Sequence, residues 1–144
     1  MSNGVNTLPD VRQSVQVNAP IEKVWNAVST REGVSAWFMA PSESFKPEVG
    51  CEFHLEAGQF GQSPCKVTEV DPPNRLTFNW GKDWTLTFEL KELEAGKTEF
   101  TLIHGGWDAD KVTEFNQPHT QVREHMAGGW VGIVKKFASY VEGQ

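Results

Sequence analysis

The sequence predicts an α+β domain in which a curved antiparallel sheet of about six or seven strands grips one long C-terminal helix. Two patterns support this. From Ser44 onward the chain alternates apolar and polar residues for about sixty residues, which is typical of strands with one buried face. The last thirty residues instead repeat apolar residues at steps of three and four, which is typical of a helix. Two short helices are expected between the first strand and the rest of the sheet.

The C-terminal helix is predicted to begin at Pro118 and to run to Val141, a length of about 36 Å. Gly128, Gly129 and Gly132 lie inside it, and each interior glycine costs about 1 kcal/mol relative to alanine. We therefore expect the helix to lie against a concave partner surface, with tight helix-sheet packing as the alternative. Its apolar face is predicted to carry Val122, Met126, Trp130, Ile133, Phe137 and Tyr140.

The N-terminal part of the chain predicts a flexible leader at residues 1–10, followed by a single domain at 11–144. A first strand buries Val11, Val15 and Val17 on one side. Pro20 then opens a short helix, and Ser29 with Glu32 matches a capping box that opens a second one. The apolar residues of these two helices are Ile21, Val24, Trp25, Val28, Val34, Trp37 and Phe38.

The first predicted hairpin joins residues 51–57 to 63–70 through a turn near Phe60. Cys65, Val67 and Glu69 are expected to continue the inner face of its second strand. Cys51 should then face a residue near Glu69, too far from Cys65 for a disulfide. Two free thiols fit a reducing compartment.

Two later hairpins have a predictable register, because a slip of one residue would move every apolar side chain to the wrong face. The turn at residues 81–83 pairs Trp80 with Trp84, Phe78 with Leu86 and Leu76 with Phe88. For the next turn, a two-residue loop would place Glu89 opposite Leu102. A three-residue loop, which we prefer, places Phe88 opposite Leu102 and Leu90 opposite Phe100.

Composition excludes several functions. Lys and Arg number 13 against 19 Asp and Glu, which gives a net charge of -6, so binding to nucleic acid or to an anionic membrane surface is disfavoured. No apolar run approaches the roughly 18 residues that a membrane span needs. The first ten residues lack the charged-then-apolar layout of a secretion signal. We therefore expect a cytoplasmic protein.

Three segments carry a family resemblance. These are NAPIEKVWNAVSTREGVSAWFMAP from Asn18 to Pro41, TEFTLIHGGW from Thr98 to Trp107, and GGW from Gly128 to Trp130. They resemble, in the same order, the motifs of the activator of Hsp90 ATPase homologue 1-like family (AHSA1-type). That family lies within the START and Bet v 1-like (SRPBCC) helix-grip superfamily. The resemblance covers almost the whole chain, from about Val11 to Val141.

The resemblance implies a hydrophobic pocket enclosed by the sheet and the C-terminal helix. Bacterial single-domain members of the family resemble binders of small apolar or lipid-like molecules. The eukaryotic co-chaperone member carries a second domain that contacts Hsp90, and this chain has no room for one. A chaperone partner is therefore implied by the resemblance alone.

Histidines and cysteines offer little chemistry. His104, His119 and His125 are not spaced as metal ligands, no Cys-x-x-Cys occurs, and no nucleotide or nucleophile motif is present, so neither a metal nor a cofactor is predicted. His104 is the candidate for a polar group in the pocket, since it alternates with Phe100 and Leu102. A purely structural hydrogen bond for His104 is the reading we favour over an acid/base role.

We expect a binder or carrier of a small hydrophobic molecule rather than an enzyme. The alternatives are a cyclase or hydratase that uses His104, assisted by Glu52 or Glu56, and a modulator of a chaperone ATPase. Oligomeric state is left open. The residues predicted to line the pocket are Trp37, Phe38, Phe53, Trp80, Phe88, Leu102, His104, Met126, Trp130 and Ile133.

Overall fold

The computed structural model of the chain describes residues 8–56, 62–81, 84–94, 96–112 and 116–143. The predicted α+β architecture is confirmed: a strand, two short helices, five further strands and a long helix follow one another. Residues 1–7 of the predicted leader and the turn residues 57–61, 82–83 and 95 lie outside the described residues. The elements are β1 Val11–Val17, α1 Ile21–Ser29, α2 Arg31–Trp37, β2 Glu52–Glu56, β3 Gln62–Asp71, β4 Arg75–Trp80, β5 Trp84–Glu94, β6 Lys97–Gly105 and α3 His119–Glu142.

The six strands form one antiparallel sheet in the order β1-β6-β5-β4-β3-β2. The first strand of the chain therefore pairs with the last one. All five predicted cross-strand apolar pairs are present, and they line the inner face of the sheet. They are Trp80 with Trp84, Phe78 with Leu86, Leu76 with Phe88, Phe88 with Leu102, and Leu90 with Phe100.

Register shifts correct two details of the predicted strands. A shift between Val67 and Glu69 places Val70 opposite Leu76, so that Val70 is half-buried and Glu69 is exposed. Such a bulge adds a residue to one strand and exchanges the faces beyond it.

The second shift lies between Glu92 and Glu94, and Glu94 pairs with Lys97. The preferred pairing of β5 with β6 is thus right, but the three-residue loop proposed to explain it is wrong. The bulge supplies the offset of one residue instead.

The register of β2 with β3 differs by two residues from the predicted one. Phe53 pairs with Cys65, and the Val67 amide donates to the Cys51 carbonyl, so Cys51 faces Val67 rather than Glu69. Cys51 and Cys65 are both free thiols.

The residue that caps α2 is Thr30, not Ser29. The Thr30 hydroxyl accepts a hydrogen bond from the Gly33 amide at 3.0 Å, which satisfies one of the unpaired donors at the start of the helix. Ser29 is the last residue of α1, and its hydroxyl donates to the Trp25 carbonyl. The predicted cap is therefore misplaced by one position, because Ser and Thr stand side by side and both suit it.

The three helices share the task of covering the inner face of the sheet, whereas the sequence had suggested α3 alone. α1 packs on β5 and β6, and α3 packs on β1. Trp37 of α2 reaches the centre, with its ring 5.4 Å from Phe88, 5.8 Å from Phe100 and 4.8 Å from Phe137. None of the helices in the described part of the chain is long and apolar enough to cross a membrane.

The glycines of α3 do not lie against any surface that the described residues form. A Cβ atom added at Gly128, Gly129 or Gly132 would meet nothing within 4 Å, and all three residues are exposed. The alternative prediction, that these glycines permit tight packing of the helix on the sheet, is therefore wrong. The buried face of α3 instead consists of His119, Trp130, Val134, Phe137, Ala138 and Val141, with four residues of the predicted face, Val122, Met126, Ile133 and Tyr140, half-buried beside it.

Candidate functional site

The predicted lining residues lie on α2, α3 and four strands, and all of them belong to the core or pack against it. Phe38, Met126 and Ile133 are half-buried, and Met126 and Ile133 share a face of α3 with Trp130 because they stand four residues before it and three after it. The other seven are buried, with exposed fractions of 4% or less: Trp37, Phe53, Trp80, Phe88, Leu102, His104 and Trp130.

Aromatic rings fill the interface between the sheet and α3. Phe38 contacts three of them, with centroid distances of 5.5 Å to Trp37, 5.7 Å to Trp80 and 5.4 Å to Trp130. Phe53 joins the same network through Phe78, at 5.3 Å. In this conformation the rings pack edge to face and in stacks, as is usual in a dense core. A ligand must displace some of these side chains in order to enter.

Three surface cavities lie away from the predicted lining, and none of the ten residues contributes to them. The largest, about 530 Å³, lies between α1, α2 and the end of α3, beside Lys23, Arg31 and Tyr140. A second, about 390 Å³, lies on the outer face of the sheet around Arg75 and Glu89. The third, about 250 Å³, lies at β3 and β4 next to Lys66. These cavities are polar and open, unlike the predicted pocket.

His104 lies in the middle of four tryptophans, here called the tryptophan cluster: Trp80, Trp84, Trp107 and Trp130. Ring centroids lie 5.1, 4.8, 4.5 and 5.7 Å from the imidazole, in that order. Trp84 and Trp107 were missing from the predicted lining. The predicted pairing of Trp80 with Trp84 could have identified Trp84 as a neighbour of the lining. Trp107 lies in the irregular segment after β6, where no periodic pattern predicts its position.

Hydrogen bonds fix the tautomer of His104. Trp130 Nε1, which can only donate, donates to His104 Nδ1 at 3.1 Å. Nδ1 is therefore the bare nitrogen, and the neutral ring carries its proton on Nε2. Trp107 Nε1 donates to the His104 carbonyl at 2.9 Å, so two members of the cluster hold this residue.

Burial keeps His104 uncharged. The side chain is fully buried, and loss of hydration, with a smaller contribution from the nearby His119, lowers its pKa to about 3. A nitrogen this weakly basic is a poor proton acceptor at neutral pH. The arrangement suits hydrogen bonding better than acid/base chemistry.

Two buried N–H groups of this site, on Trp84 and His104, have no hydrogen-bond acceptor among the described residues. The atoms are Trp84 Nε1 and His104 Nε2. A buried donor without an acceptor costs about 1–3 kcal/mol, so such groups are uncommon and concentrate where something else binds.

The first half of α3 is held much more loosely than the second. From His119 to Gly129, His119 is the single buried residue, whereas Trp130, Val134, Phe137, Ala138 and Val141 are buried in the second half. Polar contacts attach the loose half: Arg123 Nε donates to the Pro9 carbonyl, and the Asp108 amide donates to His119 Nδ1.

The described residues include no group of three His, Cys, Asp or Glu that could hold a metal ion. Glu52 and Glu56, considered as catalytic assistants, point to solvent from β2, while His104 is buried on β6. The structure therefore does not bring these carboxylates and the imidazole together.

A sheet curved around a long C-terminal helix, with an aromatic interior between them, defines a helix-grip domain. A model of the family described as activator of Hsp90 ATPase homolog 1-like protein matches residues 18–142. The chain belongs to this family, as the sequence motifs predicted. A search of proteins with curated descriptions finds no match.

Solved structures show the same fold. Protein BH1534 from Bacillus halodurans is 44% identical, with a TM-score of 0.83, over 96% of this chain and 100% of that one. DynU16, a protein of the dynemicin biosynthetic locus, is 26% identical, with a TM-score of 0.74, over 94% of this chain and 48% of that one. PFC0360w, an HSP90 activator from Plasmodium falciparum, is 20% identical, with a TM-score of 0.67, over 85% and 88%. The last likeness shows the fold alone.

Proposed function

We propose that this protein binds or carries a small hydrophobic molecule, aromatic, polyketide-like or lipid-like, between the sheet and α3. The observation that carries the proposal is the loose first half of α3, which buries His119 alone while lying over an aromatic interior. A segment with few buried apolar contacts opens at low cost. Phe38, Met126 and Ile133 are half-buried against the core, and these are the side chains that must move.

The closed interior is compatible with a pocket that collapses when it holds no ligand. A dry void of about 300 Å³ would cost roughly 7 kcal/mol at ~24 cal/mol per Å³. Because total stability is typically only 5–15 kcal/mol, an unliganded pocket of that size should collapse. Met126 suits such a wall, since its unbranched thioether adapts to different shapes. The side chains would thus fill the volume in the unliganded protein, and the ligand would fill it in the complex.

Two other functions are less well supported. An enzyme of the cyclase or hydratase type would need a base, and burial makes His104 a weak one. Modulation of a chaperone ATPase is supported by the family description alone. The test is addition of the protein to a purified bacterial Hsp90, where unchanged ATP hydrolysis would dispose of this alternative. The likeness to DynU16, a protein of the dynemicin biosynthetic locus, favours a small organic ligand.

We also propose that the protein works in the bacterial cytoplasm. Its two cysteines are free thiols, which suits a reducing compartment, and the 44% identical relative comes from a Bacillus. Chemical labelling of both thiols in protein isolated under anaerobic conditions checks the redox state. A disulfide to another molecule would count against it.

The binding test uses fluorene as the aromatic probe and myristic acid as the lipid-like probe. Protein chemical shifts are followed during each titration, and native mass spectrometry of freshly purified protein is recorded for any bound molecule. We expect shifts at Trp130 and Phe53 with at least one probe, and a higher melting temperature. No response at these two residues with either probe, and no bound mass, would overturn the proposal.

A matched pair of variants localises the binding. Met126→Lys places a charge among the side chains that must move, whereas Val131→Lys places the same charge on the exposed side of α3, where Val131 is 39% exposed. We expect Met126→Lys to weaken binding at least about tenfold, because the ligand would then desolvate an ammonium group. Val131→Lys should leave the affinity unchanged. If the two variants weaken binding equally, the binding site does not lie at Met126.

A further inference from the structure

We propose that Trp84 Nε1–H and His104 Nε2–H together form a subsite for a neutral acceptor oxygen, as in a ketone, quinone or ester carbonyl, on the bound molecule. This inference rests on the hydrophobic-ligand function proposed above and names the ligand's polar group. Its starting point is that both N–H groups are buried and that neither has an acceptor among the described residues.

The two donors belong to neighbouring rings. The Trp84 and His104 ring centroids lie 4.8 Å apart, with the ring planes at 88°. Each N–H···O bond spans about 2.9 Å between heavy atoms, so one oxygen can bridge donors up to roughly 5.8 Å apart. Perpendicular rings let the two N–H groups approach one point from different directions, as the two lone pairs of a carbonyl oxygen require.

The site offers donors only, which decides the chemistry of the ligand group. His104 Nδ1 is already occupied by Trp130 Nε1–H at 3.1 Å, and an indole N–H never accepts. A ligand N–H or ammonium group would find no partner at this pair. A carbonyl oxygen, which only accepts, is the complement.

The surroundings favour a neutral oxygen over a carboxylate. The rings that contact this donor pair carry no fixed charge, and burial disfavours the charged form of His104 itself. A carboxylate would lose its hydration without meeting a cation. The contacting rings belong to Trp80, Trp107, Trp130 and His119.

Two other arrangements can satisfy these donors. An interior water can accept from both, and perpendicular rings allow one N–H to point at the face of the other ring. In either case an incoming carbonyl gains little over a ligand without one. The comparison of two such ligands therefore separates the alternatives.

The experiment compares 9-fluorenone with fluorene, two tricyclic probes that differ by a carbonyl group in place of a methylene. One net hydrogen bond is equivalent to about fivefold in affinity. We therefore expect fluorenone to bind about 5–25-fold more tightly than fluorene. Trp84→Phe, which keeps an aromatic ring and removes the donor, should reduce that ratio about fivefold. The control Trp25→Phe, on half-buried Trp25 of α1, should leave it unchanged.

Spectroscopy on the unmutated protein keeps the test decisive if Trp84→Phe fails to fold. The Trp84 indole proton should move downfield with fluorenone and not with fluorene, and the carbonyl stretch of bound fluorenone should fall. Equal affinities for the two probes would overturn this inference alone. A fluorenone preference that Trp84→Phe does not reduce would overturn the assignment to Trp84. If neither probe binds, both this inference and the proposal of an aromatic ligand are overturned.

Discussion

His104 joins the sheet to α3 through one hydrogen bond, from Trp130 Nε1 to its Nδ1 at 3.1 Å. The imidazole is fully buried, and its ring is contacted by every member of the tryptophan cluster. A residue in this position is both a structural tie and a polar atom inside an apolar volume. Its protonation would therefore disturb the sheet and the helix at once.

Acid should destabilise the fold through His104. Because burial lowers its folded pKa to about 3, below the ordinary 6.5, the unfolded chain takes up a proton first as the pH falls. Stability from this group is complete above pH 6.5 and is lost between there and pH 3. From pH 7.5 to pH 5 we expect a loss of about 2 kcal/mol in the free energy of unfolding that His104→Asn lacks. Urea titrations at both pH values measure it.

The control for this prediction is His125→Asn, since His125 is exposed on α3. That variant should keep the acid sensitivity of the unmutated protein. Identical pH profiles for the His104→Asn variant and the unmutated protein would contradict the link between burial and acid sensitivity.

At the residue scale, the sequence predicted the side of the sheet on which His104 lies but not its neighbours. Alternation along β6 places it with Phe100 and Leu102, and that is a local property of a strand. Trp107 and Trp130 reach it from an irregular segment and from a helix 26 residues away. Such contacts depend on how elements dock, which no local pattern contains.

α3 is one helix with two different environments. Its second half is anchored by buried apolar side chains, while its first half is attached by His119, by half-buried Val122, Met126 and Ala127, and by polar contacts. The three exposed glycines lie where the halves meet. Glycine raises the backbone freedom of a helix, so this is where α3 bends most readily. The predicted opening of the pocket is therefore a motion of residues 119–129.

Replacing these glycines should stabilise the protein. Each of Gly128→Ala, Gly129→Ala and Gly132→Ala adds a Cβ that meets nothing within 4 Å, so only helix propensity changes. We expect a gain of up to about 1 kcal/mol per substitution, measured by thermal and urea unfolding. In the triple variant, amide hydrogen exchange in residues 119–129 should slow as well.

Gly33→Ala serves as the opposite case. A Cβ there would lie 2.7 Å from the Cα and carbonyl oxygen of Ala27, so α1 and α2 would have to separate. This variant should lose stability, although it also adds only one methyl group. Loss of stability in the α3 glycine variants would mean that those glycines contact something in solution.

At the element scale, helical spacing predicted α3 and its bounds to within one residue, yet its most buried face was only partly identified. Spacing is the same on both sides of a half-buried stripe, so it cannot rank Ile133 against Val134. Burial is decided by how α3 docks on β1 and α2. The bulge after Val67 was missed for a similar reason, because an added residue leaves both strands looking regular.

For the whole molecule, α3 should be indispensable. Trp130 and Phe137 are fully buried between the sheet and the other helices. A chain ended at residue 118 would leave the inner face of the sheet uncovered, and we expect it to show no cooperative unfolding transition by circular dichroism. Adding a peptide of residues 119–144 should restore the transition.

A chain ended at Glu142, which removes only the two residues after α3, is the control and should unfold as the complete protein does. Cooperative unfolding of the chain ended at residue 118 would show that the sheet and the first two helices are a folding unit by themselves. The structure argues against that, because Phe137 stacks on Phe100 with centroids 3.9 Å apart.

The pairing of β1 with β6 has a consequence for biosynthesis. Val11 pairs with His104 and Val17 with Thr98, and α3 then packs on β1. β1 thus leaves the ribosome long before β6, its strand partner, and before α3, which packs on it. Contacts so distant in sequence form slowly, and an apolar strand is exposed meanwhile. The nascent chain is therefore most vulnerable to aggregation until β6 and α3 have emerged from the ribosome.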